Sequence, residues 1–186
     1  MDARTEGVDA VSRERLHANA RFAGQASVPP PIAIRRAREL DQAEITTLVH
    51  SERLNPIDLD WRRFIVAVKH ARVVGAVQLR RHFDGSRELG SLVVRTEMRG
   101  RGLAARLIDA LLAGETGRVL MITRVAFARR YEHWGFRPIA STAAPLPILR
   151  NYAFGVLAGV VSMLTGRRPN RLVVLDRHAR QAAHSG

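Results

Sequence analysis

Arg99-Gly100-Arg101-Gly102-Leu103-Ala104 has the residue types that an anion site needs. The glycines let the backbone come close to a ligand, Ala104 keeps the first turn of a following helix slim, and Arg99 and Arg101 add positive charge. Where a strand runs through such a turn into a helix, unpaired N–H groups and the positive end of the helix dipole meet at one point, which is where phosphate binds. A Gly-Arg-Gly turn before a helix also reads as a plain loop. Further on, Phe127, Tyr131 and Trp134 recur at i, i+4 and i+7 before Gly135, the pattern of a short helix with one aromatic face and a glycine stop. Core packing is the plain reading of that stripe. Zero cysteines removes disulfides, thiolate zinc sites and cysteine nucleophiles. His70 and His82 sit beside turns, His133 falls off the Tyr131 face, and His50 with Glu52 lacks further ligands at suitable separation, so no metal is expected.

The elements that must position these residues follow from periodicity. Residues 32–37 alternate as a short first strand, and Asp41 reads as an N-cap with Glu44 at N3 for a helix over 42–51. After Asn55-Pro56 the pattern is irregular through Trp61. Runs at 64–68, 73–79 and 88–94, separated by turns at 69–72 and 84–86, predict an antiparallel meander. Leu103, Leu107, Ile108, Leu111 and Leu112 then mark one helical face, and 119–123 reads as a buried strand parallel to the one before the helix. Residues 136–139 and 171–176 complete the strands. Between them, 148–164 is an apolar insertion interrupted by Arg150 and Asn151, shorter than a spanning helix and read as a buried or docking helix. Gly155 and Gly159 in it suit close packing on a sheet or a partner chain.

With both motifs in place, the sequence resembles the GCN5-related N-acetyltransferase (GNAT) family. Its signature of Arg or Gln, two residues, Gly, one residue, Gly or Ala is matched by Arg99, Gly102 and Ala104. Its second signature, an aromatic-rich helix ending in Gly-Phe, is matched by Tyr131-Glu132-His133-Trp134-Gly135-Phe136. The resemblance covers 32–139 and the final strand, and leaves the amino-terminal arm and 148–164 unexplained. It implies an α/β (α+β) domain with a mixed, centrally splayed sheet of about six to seven strands flanked by helices, the acyl-CoA N-acyltransferase fold. Leu92, Val93 and Val94 match the bulged strand that binds the pantetheine arm, and the backbone of Arg99, Gly100, Arg101, Gly102, Leu103 and Ala104 matches the pyrophosphate cradle.

The implied activity is direct transfer of acetyl from acetyl-CoA to a primary amine of a small molecule or protein, with no acyl-enzyme. Such attack needs a neutral amine, hence a base, and the leaving thiolate benefits from an acid. Glu88 is the candidate base and Tyr131 the candidate acid. Their plain alternatives are a solvated strand-end carboxylate and core packing. The sequence departs from the family at Arg95-Thr96, where many relatives have His-Pro, and at Arg124, where many have an Asn that touches the coenzyme.

Composition bounds the rest. The 186 residues suit one domain, read as an arm at 1–31 that closes on three prolines, a domain at 32–178 and a tail at 179–186. No basic start followed by an apolar run is present, so the expected address is the cytoplasm. The formal charge of +13 comes from 29 Arg and the single Lys69, spread along the chain, which argues against a nucleic-acid site; a polyanionic ligand or an acidic partner fits the charge equally well. Two other functions compete with the enzyme: an inactive acyl-CoA-binding regulatory module, and a basic protein associated with nucleic acid or a membrane surface. The insertion at 148–164 is expected to roof the acceptor cleft or to build a homodimer contact.

Overall fold

The computed structural model describes residues 31–52, 54–164 and 171–178. The expected arm before residue 31 and the tail after residue 178 lie outside the described residues. β1 (Ala33–Arg36), β2 (Phe64–Lys69), β3 (Arg72–Arg81), β4 (Arg87–Val94), β5 (Val119–Arg124), β6 (Arg137–Ile139) and β7 (Leu172–Arg177) form one sheet in the order β1-β2-β3-β4-β5-β7-β6. Neighbours pair antiparallel except β4 and β5, which are parallel because helix α2 (Leu103–Leu112) lies between them in the chain. The β2–β3 hairpin turns through His70 and Ala71, both at positive φ (48° and 60°), the geometry of a type I′ turn.

Alternation along the strands divides the interior in two. Ile65, Ala67, Val77, Leu79, Leu89, Val119 and Met121 face α2, whose Leu103, Leu107, Ile108, Leu111 and Leu112 are all buried against them. On the opposite face, Ile45, Leu48 and Val49 of α1 (Gln42–Ser51) pack on Phe64, Val66, Ala76 and Val93. Ile148 of α3 (Leu146–Leu164) packs there on Leu120 and Val174. α3 runs unbroken through Arg150 and Asn151, and at Gly155 it lies so close to β7 that an added Cβ would come within 2.8 Å of the Leu172 side-chain tip. That close approach is to the protein's own sheet.

Two local expectations fail. Asp41 does not cap α1 through its side chain, and it has helical dihedrals (φ −81°, ψ −11°) at the end of a 3₁₀ turn, Glu39–Asp41, that runs into α1. Its carboxylate instead accepts from Arg35 at 2.7 and 3.0 Å and from the Arg38 amide at 2.6 Å. A bidentate guanidinium competes well with a backbone amide for one carboxylate. Glu44 likewise leaves the helix start to accept from the Val73 amide at 2.5 Å. Hydrogen bonding to Arg35 holds the Asp41 carboxyl below the ordinary range. Its stabilisation is therefore complete at neutral pH and is lost as pH falls through that depressed pKa. Asp41→Asn should cost about 1.5–3 kcal/mol at pH 7, with the gap from wild type closing in acid, as measured by denaturant unfolding against pH.

The second failure concerns the aromatic stripe. Val125–Trp134 is a 3₁₀ helix, not an α-helix, ending on Gly135 at φ 83°. With three residues per turn the inward set becomes Ala128, Tyr131 and Trp134, which pack on the α2-side core. Phe127 turns outward, where it meets the guanidinium groups of Arg130 at 5.0 Å and Arg124 at 5.9 Å.

Candidate active site

Past β4 the chain makes a short 3₁₀ turn, Thr96–Met98, with Met98 buried as its anchor, and enters α2 through Gly100 and Gly102 at φ 75° and 70°. The first amide to close a helical bond is that of Arg106, onto the Gly102 carbonyl at 3.1 Å. The six amides of residues 100–105 donate to no acceptor among the described residues. They form a row of open donors at a helix N-terminus, where the dipole favours negative charge. The two arginines divide the work. Arg99 is tied into the protein, donating to the Val94 carbonyl at 3.1 Å and pairing with Glu52 at 2.6 Å, and so braces the loop. Arg101 is exposed and pairs with no carboxylate among the described residues.

An added Cβ at Gly102 would meet nothing within 4 Å, so glycine is demanded there by its dihedrals alone. Gly102→Val should misalign the amide row at a strain of about 1–3 kcal/mol. Calorimetry should then show coenzyme A binding weakened by about 5- to 150-fold.

The strand leading into this turn has left its neighbour. β4 and β5 pair only at Glu88↔Leu120 and Leu89↔Met121. On its other side β4 carries an extra residue opposite β3, where the register slips between Ala76 and Gln78, and Ser91 adopts φ 49° to absorb it. Val93 and Val94 stay paired with Ala76 and Gly75 of β3. The β5-facing edge of Leu92, Val93 and Val94 is therefore unpaired, with the Val94 carbonyl engaged by Arg99.

Tyr131 packs against Trp134 (ring centroids 6.2 Å apart) and edge-on to Phe136 (6.3 Å). Trp134 is fixed in turn by its indole N–H on Asp109 of α2 at 2.7 Å. Burial raises the Tyr131 phenol above its ordinary value, against smaller opposing effects of the Thr123 hydroxyl and Arg130. A phenol held protonated is in the state a proton donor needs.

Glu88 is not a solvated strand-end carboxylate. It is 4% exposed, on the face opposite α2, and every partner around it is polar. One oxygen accepts from Arg80 at 3.2 Å, and the other meets His82 Nε2 at 3.0 Å and Asn151 Nδ2 of α3 at 2.8 Å. Arg80 is itself held by the Ile57 carbonyl (3.3 Å) and Ser91 Oγ (3.2 Å). It fits because β4 has Gly90 there: an added Cβ would lie 2.6 Å from the guanidinium. A hydrogen-bonded chain thus runs from Ser91 at the bulge through Arg80 and Glu88 to His82. Sequence reasoning missed Arg80, His82 and Asn151; a polar Asn inside an apolar helical run was the available signal.

Arg124 ends β5 exposed, over Phe127. Among the described residues no group of three His, Cys, Asp or Glu is placed to hold a metal ion. A shallow depression of about 330 Å³ between Asp84, Arg87, Gly117, Arg118 and Pro145 lies at the other end of β4 from the cradle and contains none of the expected site residues.

A mixed sheet that parts between two parallel strands, next to a helix start with open amides, defines the acyl-CoA N-acyltransferase fold. Residues 60–138 match the model of the acetyltransferase (GNAT) domain. No curated protein matches the sequence. Among solved structures, the chain is similar to Rv2747 from Mycobacterium tuberculosis, solved with CoA and NLQ (21% identity, 78% of this chain and 98% of that one, TM-score 0.58). It is also similar to ElaA from Escherichia coli (12% identity, 80% and 100% covered, TM-score 0.56). N-acetylglutamate synthase from Neisseria gonorrhoeae, solved with coenzyme A and N-acetyl-glutamate, is similar at 15% identity over 82% of this chain (TM-score 0.59); the match spans 36% of that synthase. At such identities the likeness is one of fold.

Proposed function

We propose that this protein is an N-acetyltransferase that binds acetyl-CoA and passes the acetyl group directly to a primary amine. The observation that carries the reading is the row of open amides at 100–105 lying beside the unpaired edge of β4. The amides and Arg101 hold the pyrophosphate, and the free edge of Leu92 and Val93 receives the pantetheine arm in the manner of an added strand. In the transfer, the amine nitrogen bonds to the thioester carbonyl carbon and the C–S bond breaks. Tyr131 gives its phenolic proton to the leaving sulfur. Glu88 receives the proton lost by the amine through water, because its own oxygens are already surrounded by donors. Arg80, His82 and Asn151 position that carboxylate.

The test is release of free CoA thiol from acetyl-CoA labelled in its acetyl group on addition of amines, with mass analysis of both products and protein. The panel should include amino acids, because the Neisseria synthase was solved with N-acetyl-glutamate. Amine-dependent thiol release with the label on the amine supports the reading. Label on a protein side chain other than the single Lys69 contradicts direct transfer. The ion pair of Glu88 with Arg80 favours a second reading, a module that binds acyl-CoA without turning it over. Binding of acetyl-CoA with no thiol release on any amine distinguishes it.

A further inference from the structure

α3 meets the sheet with one side only. Ile148, Tyr152 and Gly155 face inward, while Leu146, Arg150, Ala153, Phe154 and Leu157 recur at helical spacing on the opposite side. That outer stripe is apolar where a surface helix is normally polar: Leu146 is 69%, Phe154 52% and Leu157 61% exposed. The surrounding sequence is one-signed. Between Glu132 and Asp176 there is no acidic residue, and Arg137, Arg150, Arg167, Arg168 and Arg171 fall in that interval.

We infer that the outer face of α3 lies on an anionic lipid surface, with Phe154 and Leu157 in the acyl boundary and Arg150 at the headgroups. Three properties select that occupant. The exposed side chains need hydrocarbon, which a nucleic acid does not offer. Arg150 within the stripe favours an anionic partner, and a symmetric contact through the same face of a second copy would set it against another Arg150 in a stretch without carboxylates. No helix among the described residues is long and apolar enough to cross a membrane, and the inner side of α3 is committed to β5 and β7, so the contact is in the plane of the interface. Asn151 on the same helix holds Glu88, which brings the lipid-facing element into direct contact with the candidate site.

The experiment is co-sedimentation of the full chain with vesicles of phosphatidylglycerol and phosphatidylcholine, against vesicles of phosphatidylcholine alone. Binding to the anionic vesicles is expected, weakened but not abolished by salt. It should drop about 100-fold in Phe154→Asp/Leu157→Asp, which removes two buried apolar anchors. Phe154→Trp keeps the apolar character and should show a blue-shifted emission component, absent from wild type, when anionic vesicles are added. Equal binding by the double Asp variant, no binding by wild type, or an unshifted emission from the Phe154→Trp variant would overturn the inference. So would a lipid-free dimer, seen by sedimentation, that the double Asp variant dissociates, since a second copy would then be the occupant.

Discussion

Tyr131→Phe is expected to lower kcat by about 10²- to 10⁴-fold, the usual contribution of a positioned proton donor, while leaving the affinity for acetyl-CoA near that of wild type. The two effects separate because the phenol oxygen belongs to the 3₁₀ helix at 125–134, whereas the open amides belong to the turn before α2. The ring itself packs against Trp134 and Phe136, and phenylalanine keeps those contacts, so a fall in kcat from lost folding is not expected. The pH dependence has a definite sign. Burial keeps the phenol protonated past its ordinary range, so the wild-type rate should persist into alkaline solution and fall only as Tyr131 ionises. The Phe variant should lack that alkaline limb. Steady-state rates across pH check both parts, and an unchanged kcat would leave Tyr131 as core packing alone.

The second large effect is on Glu88, where stability and turnover can be told apart. Glu88 and Arg80 have side chains 5% and 4% exposed, so Glu88→Ala leaves a guanidinium buried without its counter-charge. The cost should be roughly 3–5 kcal/mol, or roughly 6–20 °C in Tm for a chain of this size. Replacing both partners by apolar residues, Arg80→Met with Glu88→Met, removes the unpaired charge and should restore most of that stability. It should not restore turnover if the carboxylate takes the amine's proton. Glu88→Gln keeps the shape and should lose rate with a smaller loss of Tm. Recovery of full activity in the double Met variant would assign Glu88 a structural role only.

Local patterns carried much of this architecture. The strands and the α2 face were legible because alternation and 3.6-residue periodicity report directly which side of an element is buried, and because the turn residues at 84–86 and 100–102 break those patterns cleanly. The cradle was legible for the same reason: its glycines, at φ 75° and 70°, stand where the backbone needs them. What escaped depended on side-chain contacts that strand register and tertiary packing create and local periodicity does not show. Arg80 meets Glu88 because of the β3–β4 register, and Asn151 reaches the same carboxylate from 63 residues away. Asp41 looked like a helix cap because nothing local shows that Arg35 will claim its carboxylate. The aromatic segment was read with the wrong period: i, i+4 and i+7 selects Phe127, whereas the three-residue turn selects Ala128. Tyr131 and Trp134 share a side in either kind of helix, and the tighter turn changes which residue joins them.

The direct test of the cradle is a titration of the ¹⁵N-labelled chain with coenzyme A, following the backbone amides. The account predicts that the resonances of Gly100 through Ala105 move downfield together and saturate, as open N–H groups acquire phosphate oxygens, with the amides at Leu92 and Val93 moving alongside them. Saturable binding that leaves those amides in place, and shifts residues elsewhere on the protein, would contradict it.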